Sequence, residues 1–154
     1  KLGEDHVDVA ACYICLGIMA DDQGEYEEAK AYYQKALKIY VSKLGEDHVN
    51  VAMSYNNLGN VAADQGEYEE AKAYYQKALK IYVSKLGEDH VNVANSYNNL
   101  GTVAADQGED EEAKAYYQKA LKIRVSKLGE DHPLVKKTKR NLALLPLPKE
   151  KLRC

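Results

Sequence analysis

Between residues 49 and 86 the chain carries two runs of apolar positions, both with helical spacing. Val51, Tyr55, Leu58 and Ala62 recur at steps of three and four, and Tyr68, Ala71, Tyr75, Ala78 and Tyr82 do so after them. Steps of that size bring side chains onto one face of an α-helix. Lys72, Gln76 and Lys80 fall on a different face of the second run, which makes it amphipathic. The punctuation agrees. GEDH at 45–48 reads as a turn, with Asp47 or His48 placed to cap the next helix. Gly66 suits the position just beyond a helix end, and Gly87 follows the second run in the same way. The pattern predicts helix A over 49–65 and helix B over 67–86, each about 25–30 Å long. Glu67, Glu69 and Glu70 sit in the first turns of helix B, where negative charge is favoured. The link between the helices is too short for anything but an antiparallel hairpin.

This hairpin is one of a series. Residues 1–42, 43–84 and 85–126 are copies of a 42-residue unit, and a shortened fourth begins at Lys127. Copies two and three differ only at Met53/Asn95, Asn60/Thr102, Tyr68/Asp110 and Tyr82/Arg124. A single hairpin cannot bury its apolar stripe; stacking on neighbours does. In the fourth copy Pro133 follows His132, where a first-turn proline is tolerated. Residues 133–145 therefore read as a capping helix, with Leu134, Val135, Leu142 and Leu145 against the last hairpin and Lys136, Lys137, Lys139 and Arg140 in water. Pro146 and Pro148 end it. The expectation is one repeat domain over 1–145 and a tail over 146–154. The chain starts at Lys1 on a repeat boundary, without methionine, and reads as a piece of something longer.

Tyr55-x-x-Leu58-Gly59-x-x-Ala62, then Gly66-Glu67-Tyr68, Ala71, Tyr75 and Ala78, resemble the tetratricopeptide signature. Copy three matches through Tyr97, Leu100, Gly101, Ala104, Gly108, Ala113, Tyr117 and Ala120. Copy one matches through Tyr13, Leu16, Gly17, Ala20, Gly24, Ala29, Tyr33 and Ala36. The usual unit is shorter; the additional residues around VSKLGEDH, with SYNNLG and GEYEEAKAYYQKALKIY, resemble the long repeats of kinesin light chain. Such repeats also occur in bacterial arrays and in nucleotide-binding signalling receptors. HEAT-like helix pairs share the period but lack this spacing. The resemblance implies an all-α, right-handed α-solenoid of tandem antiparallel helix hairpins with a C-terminal capping helix.

Helix A also bears a second stripe. Asn50, Met53, Asn57, Asn60 and Asp64 share a face in copy two, as Asn92, Asn95, Asn99, Thr102 and Asp106 do in copy three. The family likeness implies that helix A lines a concave groove, with Asn56, Asn57, Asn60 and Ala63 facing inward and Asn98, Asn99 and Thr102 as their equivalents. Amides offer donors and an acceptor to an extended backbone without demanding a charge, and in the light-chain family such asparagines clamp a peptide. The competing reading is a solvated polar stripe that keeps the array in solution. Asn141 continues the stripe into the cap, where Lys137 and Arg140 either contact an acidic part of a peptide or solvate the cap.

Copy one departs from the pattern. Its stripe is Asp8, Ala11, Cys15, Ile18 and Asp22, with Ile14 beside it. Ile14 and Ile18 either anchor a peptide side chain at one end of the groove or meet an upstream segment or a second copy of the chain. Near-identical repeats also invite domain swapping, a further route to a homo-oligomer.

Composition removes other classes. Residues 1–126 carry a net charge of −8 and residues 127–154 one of +5, poor material for gripping a phosphate backbone, so no nucleic-acid partner is expected. No apolar run approaches the ~20 residues of a membrane span. Three cysteines, Cys12, Cys15 and Cys154, suit a reducing cytoplasm better than a disulfide framework. Cys12-x-x-Cys15 lacks the second pair a zinc site needs and reads as packing, and Cys154 reads as a free tail thiol. His6, His48, His90 and His132 recur after Glu-Asp as parts of a capping turn. No nucleophile motif, phosphate loop or metalloprotease motif is present, so catalysis, cofactors and metals are not expected. The chain reads as a non-catalytic cytoplasmic scaffold binding an extended peptide, with cargo or adaptor recognition implied by the light-chain likeness. The alternative is a structural spacer or self-assembling array within a larger signalling protein.

Overall fold

The computed structural model describes residue 3 and residues 5–146. They contain seven helices: α1 (Val7–Asp22), α2 (Tyr26–Leu44), α3 (Val49–Asp64), α4 (Tyr68–Leu86), α5 (Val91–Asp106), α6 (Asp110–Leu128) and α7 (Pro133–Leu144). They fall into two compact units, α1–α4 up to Glu88 and α5–α7 from Asp89.

The cap of each helix A is the histidine, not the aspartate before it. Nδ1 of His48 accepts the Asn50 N–H at 3.0 Å. His6, His90 and His132 make the same bond to Asp8, Asn92 and Leu134. At the other end Gly66, with φ +76°, lets the chain reverse, and its N–H and that of Glu67 bond back to Ala63 and Ala62 carbonyls at 3.0 and 2.8 Å. That double bond closes off the last turn, so helix A stops at Asp64, with Gln65 as its cap.

Within each hairpin the Leu-Gly pair of helix A meets a tyrosine of helix B. A Cβ on Gly59 would lie 2.6 Å from Tyr75 Cε1, and one on Gly101 would lie 2.8 Å from the Tyr117 ring. Only a hydrogen fits under that ring. Tyr55, expected in the core, is half-buried instead. It stacks on Tyr74 with centroids 6.1 Å apart and carries Lys77 over its face.

Inside the first unit α3 packs on α2, burying Val51, Ser54, Leu58 and Val61. The equivalent face of α1 has no helix over it among the described residues. Leu16 and Met19 are therefore 42% and 57% exposed, whereas Leu58 is 2% exposed. Cys12 and Cys15 are exposed too, so the packing expected of them is not found. Ile14 is buried.

In the second unit α7 lies against α6. Val135 and Thr138 are its buried residues, and Leu142 and Leu145 join Ala104, Ala113 and Tyr117. Leu134 was expected in this face and is exposed, because it falls one position before the Val135–Thr138–Leu142–Leu145 stripe. Lys136, Lys137, Lys139 and Arg140 are exposed, as the sequence implies. Pro148 and Cys154 lie outside the described residues.

Candidate functional site

The polar stripe lies apart from the packed interior in both units. Asn56, Asn57 and Asn60 on α3 are half-buried, whereas Val51, Leu58 and Val61 of the same helix are buried. On α5, Asn98 and Asn99 are half-buried and Asn95 and Thr102 exposed. These residues share helix faces because the repeat places them at helical steps, and the Leu-Gly-Tyr contact fixes which face turns inward.

Several of these groups already have work inside the fold. The Tyr75 hydroxyl donates to Asn60 Oδ1 at 2.7 Å. Its counterpart Tyr117 lies 3.0 Å from Thr102 Oγ1. Both tyrosines are buried, and burial pushes their ionisation up. Asn56 and Asn99 are also engaged by other groups of the chain.

In the second unit the arrangement is one that reading the sequence missed. Arg124, in place of Tyr82, is 4% exposed. Its guanidinium donates to Thr138 Oγ1 at 2.7 Å, to Asn95 Oδ1 at 3.0 Å and to Asn98 Oδ1 at 3.5 Å. Burial pulls its pKa down, but a guanidinium stays charged. Two amides of the expected groove therefore hold a buried cation, and Thr138 ties the cap to it. The signal was present as one of the four differences between copies two and three. Asn141, half-buried, borders a cleft of about 400 Å³ with Ala105, Tyr117, Leu144 and Leu145. Lys137 and Arg140 are exposed on the cap.

At the end of α1, Asp21 and Asp64 bring their carboxyls together. Burial, then the Asp64 carboxyl and the Asp22 charge, push Asp21 up to about 6. No group of three or more His, Cys, Asp or Glu side chains among the described residues is arranged to hold a metal ion. No helix among them is long and apolar enough to cross a membrane.

Two family models, each described as tetratricopeptide repeat, match the chain, one over residues 50–125 and 93–145 and the other over residues 9–50. The chain belongs to the tetratricopeptide repeat family. Its fold is the all-α solenoid of tandem helical hairpins, and repeats of this family make a protein-interaction scaffold. Among solved structures, BtubC (BKLC) from P. vanneervenii is similar at TM-score 0.82 and 30% identity, over 92% of this chain and 57% of that one. A Podosopora anserina putative kinesin light chain with nearly identical TPR-like repeats gives 0.80 at 20% identity, over 90% and 65%. The apo form of RapI gives 0.77 at 21% identity, over 89% and 48%. The chain thus spans about half to two thirds of the length of these relatives. No curated protein sequence matches it significantly.

Proposed function

We propose that this chain is a non-catalytic, cytoplasmic recognition module that holds an extended peptide along the asparagine stripes of its helices A. The observation that carries the reading is the contrast within α3, where Asn56, Asn57 and Asn60 stay partly open while Val51 and Leu58 are enclosed. A mid-helix asparagine costs up to roughly 0.7 kcal/mol against alanine. Asn57 and Asn99, the equivalent half-buried amides of repeats two and three, bond the peptide backbone. Asn95 and Asn98 contribute through the Arg124 network that holds them; Ile18 borders the stripe within the first unit, and Asn141 extends it within the second. Lys137 and Arg140 meet acidic peptide residues. Cargo or adaptor recognition, as the kinesin light chain likeness suggests, is the role in which such a module serves.

A peptide-array screen with the chain and with its Asn57→Ala and Asn99→Ala variants tests this. Peptides retained by the parent chain and lost by either variant support it. Equal retention by all three overturns it.

A second reading rests on α1. Leu16, Ile18 and Met19 are exposed on one helix whose equivalent in the second repeat is covered by α2. That face suits assembly with a further repeat or a second copy of the chain. Light scattering over a concentration series distinguishes self-assembly from a monomer.

A further inference from the structure

The stripe by which a helix A meets the helix B before it recurs at a fixed register. On α3 it is Val51, Ser54, Leu58 and Val61, packed on α2. On α7 and its cap residue it is Val135, Thr138, Leu142 and Leu145, packed on α6. The same register on α1 gives Val9, Cys12, Leu16 and Met19. Cys12, Leu16 and Met19 are exposed, with no helix over them among the described residues.

The polar contacts of α2 point the same way. Gln65, at the end of α3, donates its amide to Glu27 Oε1 in the first turn of α2 at 2.9 Å. Glu70 of α4 pairs with Lys30 of α2 at 3.4 Å. The corresponding residues of repeat one are Gln23 and Glu28, both exposed. Repeat one therefore offers all that repeat two offers to α2: an apolar stripe, an amide for a first-turn glutamate and a carboxylate for a lysine three residues on.

We propose that this face of α1, with Gln23 and Glu28, docks one amphipathic helix of the helix-B pattern, supplied by a repeat outside this chain. The inference rests on the second reading above and names the partner that face selects. It is a helix with glutamate at its second position, lysine at its fifth and tyrosine at its fifteenth, as Glu27, Lys30 and Tyr40 stand in α2. Burial of the apolar stripe drives the docking, and the two polar contacts set its register.

A second copy of the chain is a poorer occupant. Its own fifteenth positions, Tyr40, Tyr82 and Arg124, are already buried, so a folded copy has no helix B to spare. On α6 the mismatch is also chemical. Arg124 donates to Thr138 Oγ1 at 2.7 Å, and Cys12 holds the register position of Thr138 on α1. Exchanging α7 for α1 of another copy would set a thiol, a weak acceptor, against a buried guanidinium. A tyrosine at that position carries no charge to satisfy.

The test uses the whole chain in reducing buffer and a fluorescently labelled peptide of residues 26–44, followed by anisotropy and far-ultraviolet circular dichroism. An isolated helix of this length is marginal in water, so docking should raise the helical signal above the sum of the parts. Leu16→Ser with Met19→Ser leaves the packing of Gly17 on Tyr33 in place and should weaken binding by at least about tenfold. Gln23→Ala in the chain, and Tyr40→Arg in the peptide alone, should each weaken it several-fold. Undiminished binding by the Leu16→Ser, Met19→Ser chain or by Gln23→Ala overturns the proposal, as does equal binding of the Tyr40→Arg peptide. Light scattering separates the remaining outcomes. A chain that ignores the peptide but dimerises, and loses the dimer in Leu16→Ser with Met19→Ser, sinks this inference and leaves the second reading standing. A monomer that ignores the peptide sinks both.

Discussion

Gly59 lies directly beneath the ring of Tyr75, so close that a Cβ at residue 59 would sit 2.6 Å from Cε1. This contact sets the spacing of the two helices in the hairpin and thereby which face of helix A is left for the asparagines. Gly59→Ala gains about 1 kcal/mol of helix propensity, yet it should destabilise the chain by about 1–3 kcal/mol through overpacking. Urea denaturation measures the difference. Combining it with Tyr75→Leu should give a smaller loss than the sum of the two, since the clash needs both partners.

The two tyrosines Tyr75 and Tyr33 occupy the same repeat position with different partners. Tyr75→Phe removes the bond to Asn60 and should cost about 1 kcal/mol. Tyr33→Phe, in the repeat where Ile18 stands in place of the asparagine acceptor, should cost less. Parallel urea curves that show equal losses would contradict this assignment.

Thr138 supplies the shortest of the three acceptors around the Arg124 guanidinium. Thr138→Val keeps the volume and removes the oxygen, leaving a buried donor short of a partner. The expected cost is about 1–3 kcal/mol. Hydrogen exchange should locate it, with faster exchange throughout α7 and a smaller effect in the first unit.

Asp21 has a raised carboxyl in the folded chain, so the folded state holds a proton that the unfolded state has released. Its contribution is present below the ordinary carboxylate range and is lost as pH rises through about 6. The chain should gain roughly 1 kcal/mol on going from neutral pH to about 4, the full effect being reduced by solvent screening. Asp21→Ala should flatten this slope. Thermal melts of both chains across that range provide the comparison.

His48 caps α3 through an unprotonated Nδ1. His48→Ala should cost about 1 kcal/mol, and His48→Asn should restore most of it. Melting temperatures of the two variants decide between capping and mere turn formation.

Most of the architecture was legible because it is written locally and repeatedly. Helical period, capping residue and terminal glycine recur every 42 residues, and each is satisfied by backbone geometry within a few residues of itself. That determined the hairpins, whereas the contact of Gly59 with Tyr75 emerged only from packing. The same pattern also fixed the position of the cap and the separation of an asparagine stripe from the apolar one. What the sequence left open was every outcome that depends on a neighbour. Two serially similar positions, Leu16 and Leu58, differ in exposure because a helix lies over one and not the other. Asn95 and Asn98 read as free groove amides until Arg124, far along the chain, is found donating to both. Nothing in the helical pattern singles out Asp21, and its raised carboxyl arises only because α3 brings Asp64 to it. Burial, hydrogen-bond partnership and charge coupling are pair properties, and for these residues the partner is chosen by packing rather than by position in the chain.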